Sequence, residues 1–375
     1  MSRLPNIGTS IFSVMSQMAN QHQAINLSQG FPDFPVDPQL LDITSGIVKE
    51  KFHQYMPSSG YPPLLKKISE MILLSYQRKI NPETEILVTA GATQGIFTAI
   101  QALVNPGEEV IILDPAYDSY DPAVRLVGAK PVHVSLNDDY TPDWTRIEAA
   151  MNSKTRMLII NNPHNPTGKT WKQDNFLQLE RLLDLHPNVL LLSDEVYEHI
   201  TFDEKHISIH SRQKLLDRSI IISSFGKSFH ITGWKIGYVA APAHLTNELK
   251  KVHQFVVFSV NSVAQAAISA YMDMVDVASL GDFYKHKRDL FRSLIKETKF
   301  ELLSCEGSYF QIASYANISN ESDIDFTKRL VRDYGVAAIP VSAFYTDGKD
   351  LNRIRFCFAK EETTLLKAAE RLLKI

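Results

Sequence analysis

The feature that most constrains the fold is a series of short, continuous apolar runs separated by helical patterns. Five runs rich in Ile, Leu and Val lie at residues 85–90, 109–114, 155–161, 189–194 and 219–223. Strands that are buried on both faces have this continuous apolar character, and parallel strands require long connections, usually helices. The sequence therefore predicts an α/β fold with a mainly parallel sheet that has helices on both faces.

The pattern changes after about residue 263. A long helical segment is followed by strand patterns at 309–315, 337–341 and 353–358 and by a final helix at 361–373. A chain of 375 residues exceeds the usual size of a single core. We expect a large domain of residues 38–265, and a smaller α+β domain in which residues 1–37 pack with residues 266–375.

The composition of the chain excludes several classes of function. The net charge is -3 and no dense basic run is present, so nucleic acid is not an expected partner. No apolar run approaches the ~20 residues of a membrane helix, and the first residues lack the apolar core of a signal peptide. The two cysteines, Cys305 and Cys357, form no disulfide framework. We expect a cytoplasmic protein that acts on small molecules without a metal.

Polar or flexible residues stand at or just past the ends of the predicted strands. They are Gly91, Asp114, Asn165, Asp194 and Ser224. In open α/β sheets, ligands bind beyond the carboxyl ends of the strands. The shared placement indicates one site.

Lys227 is the candidate nucleophile of that site, because it follows a strand in the loop Ser223-Ser224-Phe225-Gly226-Lys227. A buried amine near other cations has a lowered pKa and attacks carbonyls, although an isolated loop lysine is more often a surface residue. Asp194 ends an apolar strand, where a charge is costly unless paired. It would pair with the ring nitrogen of pyridoxal phosphate; the alternative is a helix cap.

The segment Gly91-Ala92-Thr93-Gln94-Gly95 bridges a strand and a helical pattern at about 93–104. Backbone N–H groups at a helix start suit a phosphate, and Ser224 and Lys235 could add a hydroxyl and a positive charge. Because neither GxxxxGK[ST] nor a complete GxGxxG occurs, a nucleotide is disfavoured.

Four further side chains fit the same site, although each alone could be an ordinary turn, core or surface residue. Asn165 and Tyr197 could bond the ring oxygen of the cofactor, and Tyr117 could stack on its ring. Arg355 alternates with Ile354 and Phe356 in a strand pattern and suits a bidentate clamp for a carboxylate.

Together and in this order, these motifs resemble the fold-type I pyridoxal-phosphate-dependent aminotransferases over essentially the whole chain. The motifs that carry the resemblance are Asn165-Pro166, Ser193-Asp194-Glu195-Val196-Tyr197, Ser224-Phe225-Gly226-Lys227, Gly233-Trp234-Lys235 and Arg355. A narrower likeness is to the kynurenine aminotransferase and glutamine transaminase branch, in particular its bacterial methionine aminotransferases. The likeness to the branch is carried by residues 26–34, 54–55, 60–64 and 354–360, and the likeness to its bacterial methionine aminotransferases by residues 223–227, 252–254 and 258–261.

The resemblance implies a seven-stranded sheet and a role for each residue. Lys227 would carry the cofactor as a Schiff base and shuttle the proton, and Asp194 would pair with the ring nitrogen. Arg355 would bind the substrate carboxylate, helped by Asn165 and the Gly30 backbone. The remaining expected contacts are Gly91, Ala92, Thr93, Ser224 and Lys235 at the phosphate, Asn165 and Tyr197 at the ring oxygen, and Phe12 and Tyr117 in the side-chain pocket. In the implied homodimer, Tyr55 would reach the partner's cofactor and Phe258 the partner's pocket.

Two departures bear on the substrate. Thr93 and Ser259 stand where kynurenine enzymes of the branch tend to have an aromatic residue and a histidine, and no arginine lies near Phe258 to hold a second carboxylate. The expected reaction is transamination between an L-amino acid (methionine, glutamine or aromatic) and a 2-oxo acid. A carbon–sulfur β-lyase, a kynurenine–oxoglutarate aminotransferase and a non-catalytic regulatory protein remain open alternatives.

Overall fold

The computed structural model describes residues 2–5 and 7–375 and contains a central sheet, two smaller sheets and surrounding helices. The strands are β1 (Ile25–Asn26), β2 (Ile86–Thr89), β3 (Glu109–Asp114), β4 (Lys130–Ser135), β5 (Thr155–Asn161), β6 (Leu190–Asp194), β7 (Ser219–Ser224), β8 (Gly237–Ala240), β9 (Glu301–Leu302), β10 (Phe310–Ser314), β11 (Val336–Ala337), β12 (Ile339–Pro340) and β13 (Arg353–Cys357). The α-helices are α1 (Ile11–Gln21), α2 (Pro38–Ile47), α3 (Pro62–Tyr76), α4 (Gly91–Leu103), α5 (Tyr120–Leu126), α6 (Trp144–Ala150), α7 (Gln173–Leu185), α8 (Phe225–Ser228), α9 (Ala243–Val256), α10 (Ser262–Tyr271), α11 (Leu280–Leu294), α12 (Asp323–Tyr334) and α13 (Glu362–Leu372).

The central sheet has seven strands in the order β2-β8-β7-β6-β5-β3-β4. Strand β8 is antiparallel to both of its neighbours, and the other pairings are parallel. The prediction of a mainly parallel seven-stranded sheet is therefore confirmed. All five predicted runs are strands of this sheet, and those at 109–114 and 155–161 have the predicted bounds.

The two faces of the sheet explain the continuous apolar runs. In β5, Met157 and Ile159 belong to one buried cluster, and Leu158 and Ile160 belong to another. Helix α4 packs into the first cluster and helices α3 and α7 into the second. Because both faces of the strand are covered, the residues in its middle, 157–160, are apolar whichever face they point to.

The last third of the chain forms a four-stranded antiparallel sheet in the order β12-β13-β10-β9. The single strand predicted at 337–341 is wrong. The segment forms two short strands, because β11 pairs with β1 of the N-terminal segment, whereas β12 pairs with β13. Pro340, which lacks an N–H donor, ends the second strand.

The termini of the chain are tied together by this pairing. Ile25 lies opposite Val336, and the Leu27 amide donates to the Ala337 carbonyl at 3.0 Å. The loop after β1, which includes Gly30, is thereby held next to the strand ends of the central sheet. Among the described residues, no helix is long and apolar enough to cross a membrane.

Candidate active site

A cavity of about 400 Å³ lies beyond the carboxyl ends of the central parallel strands. It brings together thirteen of the fifteen residues to which the sequence analysis assigns a role in the site. These are Phe12, Gly30, Gly91, Ala92, Thr93, Tyr117, Asn165, Asp194, Tyr197, Ser224, Lys227, Lys235 and Arg355.

Lys227 lies on the single turn of helix α8, directly after β7. The Ser224 hydroxyl oxygen caps this turn by accepting from the Gly226 amide at 3.2 Å. The Lys227 amine donates to the Tyr309 hydroxyl at 2.7 Å and to the Gly30 carbonyl at 3.1 Å. Burial lowers the pKa of Lys227 to about 8, and the nearby Arg355 cation acts in the same direction. About a tenth of the amine is therefore uncharged at pH 7, and this form can act as nucleophile or base.

Asp194 ends β6 and is 4% exposed. Its Oδ2 accepts from the Tyr120 hydroxyl at 2.6 Å and its Oδ1 from the Val196 amide at 3.3 Å. Burial raises the pKa of Asp194 to about 6. No Lys, Arg or His lies within ion-pair distance of this carboxylate in the described part of the chain. A protonated ring nitrogen would supply the missing cation, so Asp194 fits pyridoxal phosphate.

The start of helix α4 fits the phosphate of the cofactor. Gly91 has φ +76°, and a Cβ built on it would stand 3.3 Å from the Lys235 amine, so this cation lies directly against the backbone. The first turn of α4 has no side-chain cap, which leaves N–H groups free at the positive end of the helix dipole. The Ser224 hydroxyl, which accepts at Gly226, keeps its proton free to donate.

Asn165 and Tyr197 lie where a ring oxygen could receive their protons. The Asn165 Oδ1 accepts from Arg355 at 2.7 Å, so the amide N–H groups are free to face the cavity. Burial raises the pKa of Tyr197, which keeps the hydroxyl protonated as a donor. The Tyr117 hydroxyl is 3.3 Å from the Thr93 hydroxyl, which ties its ring to the start of α4.

Arg355 lies in β13 and is 1% exposed, so the surface position common for a strand arginine does not apply. Its guanidinium donates to Asn165 Oδ1 and, at 3.1 Å, to the Ser28 carbonyl, while its Nε has no hydrogen-bond partner among the described residues. It lies 3.9 Å from the Phe310 ring centroid and forms no ion pair with a described carboxylate. Burial lowers the pKa of Arg355 to about 10. A buried cation with donors to spare fits a carboxylate ligand.

Two predicted residues lie outside this cavity. Tyr55 is 81% exposed and Phe258 is 52% exposed, and their rings meet edge to face at 5.1 Å. The expectation that both serve a partner subunit stays a prediction. Phe258 adopts φ +67°, which is uncommon for a residue with a large side chain.

The indication that Asp114 belongs to the site is wrong. Its carboxylate accepts from the Thr346 amide at 3.1 Å and contacts His133 at 2.8 Å, and it does not line the cavity. Strand β4 lies beside β3 at the edge of the sheet, and its His133 draws the carboxylate away from the centre.

Sequence reasoning missed Tyr120 and Tyr309, which contact Asp194 and Lys227 respectively. Tyr120 stands three residues after Tyr117 in the sequence, and this spacing could have suggested that both rings lie near the same site. Tyr309 was predicted only as the first residue of a strand. Its nearness to Lys227 depends on the packing of segments 82 residues apart.

Comparison with known proteins identifies the family. The family model for class I and II aminotransferases matches residues 22–372. The methionine aminotransferase of Escherichia coli is 42% identical over 100% of this chain and 98% of its own length. A probable N-succinyldiaminopimelate aminotransferase of Mycobacterium tuberculosis is 34% identical, covering 99% of this chain and 97% of the relative. The kynurenine–oxoglutarate transaminase of Dictyostelium discoideum is 31% identical, covering 99% and 95%.

A solved E. coli structure, described as having a methionine aminotransferase function, superimposes with a TM-score of 0.98 at 42% identity, covering 100% of this chain and 99% of that one. The predicted fold type and family resemblance are therefore confirmed. The protein is an enzyme of amino-acid transamination and belongs to the class I and II aminotransferases.

Proposed function

We propose that this enzyme uses pyridoxal phosphate to move an amino group from an L-amino acid with an uncharged side chain to a 2-oxo acid. One observation carries the proposal. Arg355 is a buried guanidinium that forms no ion pair with a carboxylate of the described residues, and it lines the same cavity as Lys227, an amine of lowered pKa. The first suits the α-carboxylate of an amino acid, and the second suits proton transfer at its α carbon.

The cofactor contacts follow from the groups described above. Lys235, Ser224 and the amides at Gly91, Ala92 and Thr93 would hold the phosphate. Asp194 would keep the ring nitrogen protonated, and Asn165 and Tyr197 would donate to the ring oxygen. When bound, pyridoxal phosphate supplies a carbonyl carbon for the substrate amine and a ring that withdraws electrons from the α carbon.

The protein's own work is to orient the substrate and move one proton. Arg355 and Asn165 would fix the α-carboxylate, so that the α C–H bond points towards Lys227. The Lys227 amine, with its pKa of about 8, would take the proton from the α carbon and return one to the cofactor carbon. A catalytic group whose pKa lies near the working pH can both accept and donate a proton efficiently.

Substrates with apolar or amide side chains fit the rest of the cavity. Phe12, Tyr117 and Ile96 line it, and the only guanidinium among its described lining residues is Arg355. A second carboxylate, as in aspartate or glutamate, would therefore lack an arginine partner, and Asp118 would repel it. The 42% identity with a methionine aminotransferase supports methionine as the first donor to test. The comparisons do not favour a carbon–sulfur β-lyase.

We also propose a homodimer and a two-domain chain. Phe255 is 87% exposed and Val256 48% exposed beside Phe258 and Tyr55, which gives an apolar surface suited to a second copy. Tyr55 would then contact the partner subunit's cofactor. The proposed large domain is residues 38–265, and the small domain is residues 1–37 and 266–375.

A visible absorption spectrum of the purified protein tests the function. After incubation with pyridoxal phosphate we expect an absorbing protein whose band shifts when methionine is added and returns when a 2-oxo acid is added. Glutamate serves as the matched donor that the cavity should disfavour. A protein that stays colourless would contradict the cofactor assignment. A coloured protein that ignores every amino acid would contradict the roles of Arg355 and Lys227.

A further inference from the structure

We propose that Tyr309 is a positioning residue of the transamination, which holds the Lys227 amine in the orientation needed for proton transfer. This inference rests on the proposed role of Lys227. Tyr309 lies just before β10, is 0% exposed and places its hydroxyl 2.7 Å from the Lys227 amine.

The hydrogen bonds around the amine have a defined direction. The Tyr309 hydroxyl donates its proton to the Gly30 carbonyl at 2.5 Å, so its oxygen can only accept from Lys227. The Gly30 carbonyl accepts from Lys227 as well, at 3.1 Å. An uncharged lysine amine has two N–H bonds, and these two acceptors engage both of them. The lone pair of the nitrogen is thereby left uncommitted and fixed in direction, ready to receive a proton.

The surroundings make the Tyr309 hydroxyl a rigid and neutral acceptor. Its ring meets the Tyr197 ring edge to face at 5.1 Å and the Phe310 ring at 4.9 Å. Burial raises the pKa of Tyr309, so the hydroxyl keeps its proton. The close approach of the Gly30 carbonyl also requires a glycine, because a Cβ there would lie 2.8 Å from Phe310 Cζ. Because the hydroxyl is held in place, its hydrogen bond also fixes the position of the Lys227 amine.

The neighbouring Tyr284 provides a matched control. It is also 0% exposed, and its ring centroid lies 5.6 Å from that of Tyr309. Its hydroxyl has no hydrogen-bond partner among the described residues. Tyr284→Phe thus removes a hydroxyl from the same aromatic cluster without removing a contact to Lys227.

The test compares Tyr309→Phe and Tyr284→Phe with the wild type as cofactor-loaded enzymes. The single-turnover rate with methionine and with α-deuterated methionine is measured as a function of pH. The pH titration of the visible band without substrate is a second readout, independent of turnover. We expect Tyr309→Phe to slow the single turnover about tenfold, which is the upper end of the net worth of one hydrogen bond between uncharged groups. The isotope effect should increase, the visible band should titrate at a different pH, and the Kd for methionine should stay within about twofold.

The outcomes separate this inference from the proposed function. If the wild type responds to methionine and Tyr309→Phe matches it in rate and titration, the inference is overturned while the function stands. Equal slowing in both variants would indicate a structural role of the cluster and would also overturn it. A wild type that does not respond to methionine would instead contradict the function itself.

A second variant covers a loss of folding in Tyr309→Phe. Fluorotyrosines incorporated at position 309 keep the hydroxyl and nearly the same shape but make the oxygen a weaker acceptor. We expect the single-turnover rate to fall progressively as fluorine atoms are added. A rate that does not change with fluorination would overturn the inference.

Discussion

Arg355→Met should remove activity without removing stability, and this separation tests the central assignment. The guanidinium of Arg355 is 1% exposed and forms no ion pair with any carboxylate in the described residues. Among the described residues, it donates only to Asn165 and to the Ser28 carbonyl. Methionine keeps an unbranched apolar side chain about as long as the aliphatic part of arginine and removes the charge.

The expected magnitudes follow from these contacts. A guanidinium has five N–H donors, and two are used by Asn165 and Ser28, which leaves three, including Nε–H, for a substrate carboxylate. In Arg355→Met that carboxylate would be buried without its cation, which costs about 3–5 kcal/mol. Because about 1.4 kcal/mol is a factor of ten, kcat/KM should fall roughly 10²- to 10⁴-fold.

The folded protein loses two hydrogen bonds in this variant but also loses the desolvation penalty of a buried charge, which is several kcal/mol. We therefore expect the free energy of unfolding to fall by no more than about 1 kcal/mol. The assays are kcat/KM for methionine, followed through the oxo acid formed, and urea unfolding of the cofactor-loaded protein.

Arg353→Met is the matched control for Arg355→Met. It lies two residues earlier in β13, donates to the Asp138 carbonyl at 2.9 Å and does not line the cavity. Its kcat/KM should stay within about twofold of wild type. The reasoning is refuted if Arg355→Met retains kcat/KM within about tenfold of wild type, or if the control loses as much.

Three further predictions follow. Lys227→Ala should still bind pyridoxal phosphate, seen by equilibrium dialysis, but should give no turnover; normal turnover would contradict its role. Gly91→Ala should weaken cofactor binding, because its Cβ would stand 3.3 Å from the Lys235 amine, and should cost about 1–2 kcal/mol of stability for a side chain at φ +76°; titration with the cofactor and urea unfolding measure both. Burial opposes protonation of His133, but its hydrogen bonds to Asp114 and Asp121 outweigh this and raise its pKa to about 9. The stability it contributes is therefore full below about pH 6.5 and lost as the pH rises through about 9, so the stability difference between wild type and His133→Gln should shrink over that range in urea unfolding; a constant difference would contradict the pairing.

The central strands could be predicted because their burial on both faces of the sheet is visible in their own apolar residues. Strands β3 and β5 are covered on both faces, so their central positions, residues 110–113 and 157–160, are all apolar, and the bounds are read correctly. Strand β4 was not predicted, because it lies at the edge of the sheet and contains Lys130, Pro131 and His133 among its apolar residues. Strand β8 has only four residues and begins with a glycine, which leaves too short a pattern to recognise.

The site residues also divide into those that the local sequence reveals and those that depend on packing between distant segments. Asp194 and Lys227 could be found because parallel strands bring their carboxyl ends to one edge of a sheet, whatever the loops do. Asp114 meets the same rule and yet faces His133, because side-chain direction depends on the neighbouring strand as well as on position. Tyr309 could not be found, because nothing local in its sequence indicates the approach of Lys227 and Gly30.

The buried charged groups of the cavity make physical sense only if bound ligands supply their counter-charges. Burial is the largest influence on each group and favours its neutral form, so the pKa of Asp194 is raised to about 6 and those of Lys227 and Arg355 are lowered to about 8 and 10. A fold selected for stability alone would replace such groups with apolar ones. Three ligand groups would supply counter-charges in this cavity. A pyridine nitrogen that carries a proton would face Asp194, a phosphate would face Lys235, and an α-carboxylate would face Arg355. Lys227 is then the group left without a fixed partner charge, and it is therefore the one that is free to gain and lose a proton during the reaction.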